Sequence, residues 1–357
     1  ALALADAGDA VIGGCCGTTP EHIRKLSETL GGRAVVPRRA PVIAAETVLS
    51  DAKKAGPADN PIRSLMAGKR FVISVEIRAE RTRSLDDIVQ GASLVATAGA
   101  DMFDVPDNPG ATVGRDAMVT AARLQSELHI PAICHLGVTQ SNLMRLHSSL
   151  IGCWDLGLRG LLAVTGDAPS MGHLGSLAHR VMDVRSSVEL LRLLRELREG
   201  RIINGETLAD PPDFCSGCAI ARPIPAQIKW LQAKIDAGAE FVFSQPVFTY
   251  DDYRRLRDAV NGLPIRFFPG VMPLVGRRNA SFLAGGRIPG MVVPQEIVAG
   301  FDRYESLADQ RRFGLDQACE LVRQIAAESA GLYLIMPFGK TCFEDAARIV
   351  RHVRKSP

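Results

Sequence analysis

The chain has 357 residues, of which 46% are hydrophobic and 23% are charged, and its formal net charge is +3. This composition excludes global disorder and allows a large buried core. Lys and Arg are spread along the chain, so we expect no nucleic-acid partner. No apolar run reaches the roughly 20 residues that a membrane span needs, so we expect no membrane partner either.

Residues 1–30 predict a helix, a short strand at residues 10–12, a glycine-rich turn and a second helix at residues 20–30. Thr18 or Thr19 can serve as the N-cap of that second helix. The turn contains the adjacent pair Cys15 and Cys16. Two thiolates could share one Zn²⁺, but a zinc site needs at least three protein ligands, so structural cysteines are an equally good interpretation.

The first residue is not Met, and the opening sequence is typical of the middle of a helix, so we expect a fragment of a longer polypeptide. The eight cysteines are scattered and no secretory signal is recognisable. These two features favour a reduced, cytoplasmic setting.

Residues 36–60 predict a linker, because they are rich in proline and have no sustained hydrophobic period. From residue 61 onward, strand-like apolar runs alternate with helical patterns. The predicted strands cover residues 71–77, 102–105, 132–136, the run LLAV that stops before Thr165, and residues 214–220, 241–244, 265–268 and 332–336. Glycines close several helices directly before a strand, as short αβ loops require. Eight strands alternating with helices favour a (β/α)₈ TIM barrel over a doubly wound sheet.

Polar side chains lie at or just after the ends of these strands, namely Glu76, Asp107, His135, Asp167, Gln245 and Lys340. The carboxyl ends of parallel barrel strands meet at one rim, so we expect these side chains to converge there. Simpler interpretations are a surface residue for Glu76, a core histidine for His135, a helix cap for Asp167 and a loop residue for Gln245. The C-x-x-C pair at residues 215–218 has no second pair at zinc spacing and is interpreted as structural.

Residues 61–357 resemble the catalytic domain of the methylenetetrahydrofolate reductase family. The strings that carry the resemblance are SVEI, CHLG, LLAVTGD, AKIDAGAEFVFSQPVF and FFPGVMPLVGRRNASFL. The string VIGGCCGTTPEHI resembles the carboxyl-terminal end of the homocysteine S-methyltransferase family, which implies that residues 1–35 are a fragment of a second barrel. That family binds zinc with a third, earlier cysteine, so the resemblance implies zinc only in an intact methyltransferase domain.

The first resemblance implies reduction of 5,10-methylenetetrahydrofolate to 5-methyltetrahydrofolate with FAD and hydride from NAD(P)H. It implies three catalytic residues: Glu76 as general acid, Asp167 as the carboxylate beside flavin and pterin, and Gln245 at the folate and nicotinamide. The implied flavin contacts are His135, Thr165, Gly166, Asp167 and Lys234, with Asp107 and Asn108 in a further flavin loop. The implied folate contacts are Gln245, Asn279 and Lys340, the last standing where the family has an arginine.

Several segments depart from the family pattern, among them IRAERT after Glu76 and TQSN after the His135 strand. They motivate a second hypothesis, in which the domain binds folate and flavin with weak or lost reductase activity and serves a fused or partner methyltransferase. A third hypothesis, based on Cys15 and Cys16, is a zinc methyltransferase. A homo-oligomer is a further partner hypothesis.

Overall fold

The computed structural model describes residues 2, 5, 12–14, 17–32, 60–177, 181–286 and 290–355. The chain forms two compact units, Ala1–Lys54 and Ala55–Pro357. In the first unit, helix α1 covers Pro20–Leu30, and Thr19 is its N-cap, as one of the two predicted alternatives had it. Cys15, Cys16, most of the predicted strand at residues 10–12 and all of the predicted linker except Asn60 lie outside the described residues.

The second unit is a closed barrel of eight parallel strands, which confirms the predicted fold class. Each strand pairs with its neighbours in sequence, and the last pairs with the first. The strands are β1 Val72–Glu76, β2 Met102–Val105, β3 Ala132–Gly137, β4 Gly160–Val164, β5 Cys215–Ile220, β6 Phe241–Val247, β7 Arg266–Val271 and β8 Gly331–Leu334. All eight coincide with predicted strands, within a few residues at each end.

Helices connect the strands, and one short helix precedes the first strand. They are α2 Pro61–Ala67, α3 Leu85–Ala98, α4 Ala117–Leu128, α5 Leu143–Asp155, α6 Ser187–Arg198, α7 Pro225–Asp236, α8 Tyr250–Val260, α9 Arg277–Ala284, α10 Gln295–Gly300, α11 Leu307–Ala326 and α12 Cys342–Lys355. Gly99 ends α3 with a left-handed φ of 109°, which confirms its predicted role before β2. No helix in the described ranges has the length and hydropathy of a membrane span.

Alternating side chains of the strands point outward against the helices and inward into the barrel. On β1, for example, Ile73 and Val75 belong to the large outer core, whereas Val72 belongs to the inner cluster. The inner cluster contains aromatic residues from three strands, Phe241, Phe243, Phe268 and Tyr333. Glycines make room for these rings: a Cβ at Gly217 would lie 2.1 Å from the Phe241 ring.

Helix α2 closes the amino-terminal mouth of the barrel, the end at which the strands begin. Its side chains Ile62 and Met66 join the inner cluster. Asn60 caps the helix and also donates to the carbonyl oxygens of Arg159 and Asp213, just before β4 and β5. The strands end at the carboxyl mouth, where Glu76 is the last residue of β1 and His135 lies near the end of β3.

Candidate active site

The upper part of the barrel interior, next to the carboxyl mouth, holds a cluster of buried polar side chains. Its members are each less than a tenth exposed: Ser74 and Glu76 on β1, Asp104 on β2, His135 on β3 and Tyr333 on β8. The strand register brings them together, because Glu76 pairs with Asp104 and Ser74 pairs with Tyr333. We call these five residues the interior cluster.

Glu76 is held at the tip of β1 by a tyrosine. The Tyr333 hydroxyl donates a hydrogen bond to Glu76 Oε2. The Tyr333 ring is stacked on Phe243, with ring centroids 4.4 Å apart and planes 11° apart, so its hydroxyl has a fixed direction. Burial raises the pKa of Glu76, and the neighbouring Asp104 raises it further, against smaller opposing effects from Tyr333, His135 and Arg78. A carboxyl in such a place can act as a general acid near neutral pH.

Asp104 connects the remaining members of the interior cluster. Ser74 Oγ donates to Asp104 Oδ2 over 2.7 Å, and His135 Nε2 lies 3.1 Å from Asp104 Oδ1. Asp104 has no exposed surface. Glu76 and His135, two of the predicted strand-tip residues, are therefore brought into one cluster by a carboxylate that the sequence analysis did not select.

Two further predicted carboxylates, Asp107 and Asp167, tie the loops of the carboxyl mouth together. Asp107 Oδ2 accepts from the backbone N–H of Gly137, over 3.1 Å, and Asp167 Oδ2 accepts from the backbone N–H of Gly110, over 2.7 Å. Asn108 Nδ2 donates to Asp107 Oδ1 over 2.9 Å. Burial raises the pKa of Asp107. The loops after β2, β3 and β4 are thus fixed relative to one another.

The turn after β4 presents backbone rather than bulky side chains. Thr165, Gly166 and Asp167 are exposed. Gly166 has a φ of 83°, and a Cβ there would lie 2.7 Å from Thr139 Oγ1. A cleft of about 420 Å³ lies among the loops after β2, β3 and β4, with a lining that includes Asp107, Asn108, Gln140 and Pro169. Its size is in the range of cofactor and ligand pockets.

Lys234 and Gln245 lie on the opposite side of the barrel from β1. Lys234, on α7, donates from Nζ to the carbonyl oxygen of Ala219 on β5, over 2.6 Å, and burial lowers its pKa. Gln245 is half-buried on β6, where the pairing with β7 shifts register between Phe243 and Pro246. A register shift of this kind redirects a side chain near the end of a strand.

Asn279 and Lys340, the predicted folate contacts, have other surroundings. Asn279 Oδ1 accepts from the backbone N–H of Val275 over 3.2 Å, at the start of α9. Lys340 is exposed in the loop before α12, where its carbonyl oxygen accepts from Arg83. Neither contact involves the interior cluster, so the participation of both residues in folate binding stays a prediction.

Cysteines form no metal centre in the described part of the chain, where no group of three or more His, Cys, Asp or Glu side chains could hold a metal ion. Cys215 and Cys218 are both buried, and burial raises the pKa of Cys218 to about 12. Thiols with raised pKa values are poor metal ligands and nucleophiles, in keeping with the structural interpretation of this pair. Cys15 and Cys16 lie outside the described residues, so their zinc role stays untested.

Two family models match this sequence. The model described as methylenetetrahydrofolate reductase matches residues 61–336, which include the whole barrel except its last helix. The chain belongs to the methylenetetrahydrofolate reductase family. The model described as homocysteine S-methyltransferase matches residues 1–30. Both matches agree with the resemblances found in the sequence strings.

Curated relatives of this methylenetetrahydrofolate reductase family member are distant, and the matched segments cover only part of each relative. A probable methylenetetrahydrofolate reductase (NADPH) of Caenorhabditis elegans is 24% identical over 263 residues, which cover 72% of this chain and 36% of the relative. A 5,10-methylenetetrahydrofolate reductase of Pectobacterium carotovorum subsp. carotovorum is 24% identical over 202 residues, which cover 56% of this chain and 62% of the relative. This chain therefore spans less than two thirds of either relative.

A solved structure supports the fold. It is described as an uncharacterised protein from Clostridium thermocellum that binds two copies of 5-methyl-5,6,7,8-tetrahydrofolic acid. It superposes with a TM-score of 0.55 at 10% sequence identity, covering 82% of this chain and 98% of that one. At this identity the likeness concerns the barrel alone.

Sequence reasoning missed Asp104 and Tyr333 in this reductase-family barrel. Both lie within predicted strands rather than at their ends, so a search for polar residues at strand tips passes over them. The available signal is alternation, because residues two apart on a strand share a face. Ser74 and Glu76 share the inward face of β1, and Tyr333 alternates with the outward Leu332 and Leu334.

Proposed function

We propose that this chain catalyses the FAD-dependent reduction of 5,10-methylenetetrahydrofolate to 5-methyltetrahydrofolate, with hydride from NAD(P)H. Membership of the methylenetetrahydrofolate reductase family supports the reaction class. The observation that carries the proposal is Glu76, a buried carboxyl at the tip of β1 whose environment favours its protonated form. Opening the methylene bridge of the substrate requires a proton donor of this kind.

The residues of the carboxyl mouth fit a flavin. A flat ring can approach closely where Gly166 offers backbone without a Cβ, and a cleft of about 420 Å³ lies among the loops after β2, β3 and β4. The residues that would hold FAD are Thr165, Gly166, Asp167, His135, Lys234, Asp107 and Asn108. FAD, when bound, would supply the hydride acceptor for NAD(P)H and the hydride donor for the methylene carbon of the folate.

The proton step belongs to this chain's own residues. The bond between Glu76 and its proton breaks, and the proton passes to a folate ring nitrogen, which weakens the bond from that nitrogen to the methylene carbon. The electron pair stays on the Glu76 carboxylate, where the Tyr333 hydroxyl stabilises the charge. We assign Asp167 to the flavin and pterin, and Gln245 to the folate and the nicotinamide.

A second candidate function is a folate- and flavin-binding module with little reductase activity. The surroundings of two predicted folate contacts favour this function. The Asn279 amide oxygen already bonds within its own loop, and Lys340 is exposed where the family has an arginine. Lys lacks the planar fork with which Arg holds a carboxylate, so the tail of a folate would be held less firmly.

The test begins with an absorption spectrum of the purified protein, before and after addition of FAD and then of NADH or NADPH under anaerobic conditions. We expect a bound-flavin spectrum that bleaches with the nicotinamide and returns on addition of 5,10-methylenetetrahydrofolate. In Glu76→Gln the flavin should still be bleached by the nicotinamide, but its spectrum should not return on addition of the folate. The substitution removes only the transferable proton.

Three results separate the alternatives. A protein that takes up no FAD contradicts both functions. Bleaching without any return in the unmodified protein, together with folate binding, favours the binding module. Unchanged folate turnover in Glu76→Gln would reject the acid role of Glu76 while leaving the family membership intact.

A further inference from the structure

Tyr333 donates a hydrogen bond to Glu76, and Asp104 is the register partner of Glu76 on β2. Resting on the proposed function, we propose that Tyr333 and Asp104 are positioning residues for Glu76. Tyr333 fixes which carboxyl oxygen carries the transferable proton, and Asp104 keeps that proton bound until the substrate takes it. Neither residue is required to contact flavin or folate.

Tyr333 determines the orientation of the carboxyl group. A protonated carboxyl has one oxygen that bears hydrogen and one that accepts hydrogen bonds. Glu76 Oε2 accepts from the Tyr333 hydroxyl, so the proton of the neutral acid belongs on Oε1. Stacking on Phe243 and pairing of Tyr333 with Ser74 across β8 and β1 fix the tyrosine ring. The transferable proton therefore has a defined direction.

Asp104 determines how firmly the proton is held. Its Cα is the register partner of Glu76 across β2 and β1, both side chains point into the barrel, and both are buried. A second carboxylate so close in a dry interior opposes ionisation of the first. The charged and titratable groups facing Glu76 are Asp104 from β2, His135 from β3, Tyr333 from β8 and Arg78 from the segment after β1.

The two residues act in opposite directions, which makes the inference testable. The Tyr333 hydrogen bond stabilises the Glu76 carboxylate, so Tyr333→Phe should raise the pKa of Glu76 and move the alkaline limb of folate turnover upward by about one pH unit. Asp104→Asn removes a like charge and should move that limb downward by a similar amount. Tyr333→Phe should also lower maximal turnover roughly tenfold, because the charged product of proton transfer loses a hydrogen bond.

The experiment uses the full chain and has two readouts. The first is the pH profile of 5,10-methylenetetrahydrofolate reduction with FAD bound. The second is the infrared carbonyl band of protonated Glu76, followed through a pH titration without folate and assigned by its loss in Glu76→Gln. Tyr250→Phe, in the outer layer on α8, and Asp258→Asn, at an exposed carboxylate on the same helix, are the matched controls.

Opposite displacements of the infrared titration in Tyr333→Phe and Asp104→Asn, with little change in the controls, support the inference. Displacements of the same sign, or none, overturn it. Tyr333→Phe should have no further effect on turnover in a Glu76→Gln background. If the unmodified protein does not reduce the folate but the infrared titrations still move apart, the proposed function fails and the inference about Glu76 stands.

Discussion

The same eight strands build two different mouths. At the amino-terminal mouth, α2 inserts Ile62 and Met66 among the inward-facing aromatic rings. Beside them, the partly buried guanidinium of Arg63 donates to Asp213 over 2.7 and 2.8 Å and to Glu240 over 2.6 and 3.0 Å. At the carboxyl mouth the interior is polar, and Glu76 lies beside a second carboxyl group and has no ion pair with any residue that the structure describes.

The difference lies in how buried charge is compensated. The Arg63 cluster matches a cation with two carboxylates and a carbonyl oxygen, so its burial costs little net free energy. The interior cluster places Glu76 next to Asp104, an arrangement that opposes ionisation and lowers stability wherever Glu76 must be charged. The amino-terminal mouth stabilises the fold, whereas the carboxyl mouth favours the protonated form of Glu76.

Shortening a buried side chain of α2, the helix that closes the amino-terminal mouth, should give the largest loss of stability. Ile62 is 1% exposed, and Ile62→Ala leaves a cavity among rings that cannot close over it. We expect a loss of about 3 kcal/mol in the free energy of unfolding, measured by urea denaturation. Ile203→Ala, at a side chain that is 57% exposed, is the control and should change stability by less than about 0.5 kcal/mol. Equal losses in the two variants would mean that α2 does not close the barrel.

Removal of the Arg63 guanidinium at the same mouth should lower the free energy of unfolding somewhat less than Ile62→Ala does. Arg63→Ala leaves Asp213 and Glu240 partly buried without their main partner, although Arg198 also lies 2.9 Å from Asp213. We expect a loss of about 2 kcal/mol, below the range for fully buried pairs because the partners retain some solvent. FAD affinity should not change.

The matched control for Arg63 is an exposed arginine with two acidic partners. Arg123→Ala removes ion pairs to Asp86 and Glu127 on the surface and should change stability by less than about 1 kcal/mol. If Arg63→Ala lowers stability no more than this control does, Arg63 does not compensate the charges of Asp213 and Glu240 as argued.

The sequence predicts the eight strands that form both mouths, but it does not predict helix α2. Apolar runs and glycine joints predict all eight strands, because each is a local pattern. The capping signal Asn60-Pro61 is also local, but a seven-residue helix such as α2 is not stable alone and depends on burial of Ile62 and Met66. Its existence is therefore a tertiary outcome.

The interior cluster shows the same limit at the carboxyl mouth. Glu76 and His135 can be selected from single strands, because each is a polar residue in an apolar run. The pairing of Glu76 with Asp104 depends on the register between β1 and β2, and the contact with Tyr333 depends on closure of the barrel by β8. The apolar pattern of a strand indicates which face a side chain takes, but it does not identify the residue opposite it on a neighbouring strand.

Replacing Glu76 at the carboxyl mouth by the neutral Gln should remove a pH-dependent loss in the free energy of unfolding. The pKa of Glu76 is raised in the folded state, so between the unfolded-state and folded-state values the folded chain binds a proton that the unfolded chain has lost. The free energy of unfolding then falls as pH rises through this window, by at most about 1.4 kcal/mol per pH unit. Glu76→Gln should lack this fall, so its stability should gain on that of the unmodified protein as pH rises.

Denaturation curves collected from pH 4 to pH 8 would measure this effect, with the exposed Glu305→Gln as control. Asp107, whose pKa is also raised, is present in both proteins and cancels in the difference. Parallel stability curves for Glu76→Gln and the unmodified protein would contradict the raised pKa of Glu76.

Two glycines with nearly equal positive φ angles, one at each mouth, give the finest comparison. Gly166 at the carboxyl mouth has a φ of 83°, and Gly262, between α8 and β7 at the amino-terminal mouth, has a φ of 82°. Alanine at either position should cost about 1 kcal/mol of stability through backbone strain.

A Cβ at Gly166 would also press on Thr139, whereas a Cβ at Gly262 would meet no atom within 4 Å. Gly166→Ala should therefore weaken FAD binding about tenfold in a fluorescence titration and Gly262→Ala should not, since tenfold corresponds to only about 1.4 kcal/mol of lost contact. Equal FAD affinities in the two variants would remove the turn after β4 from the flavin site.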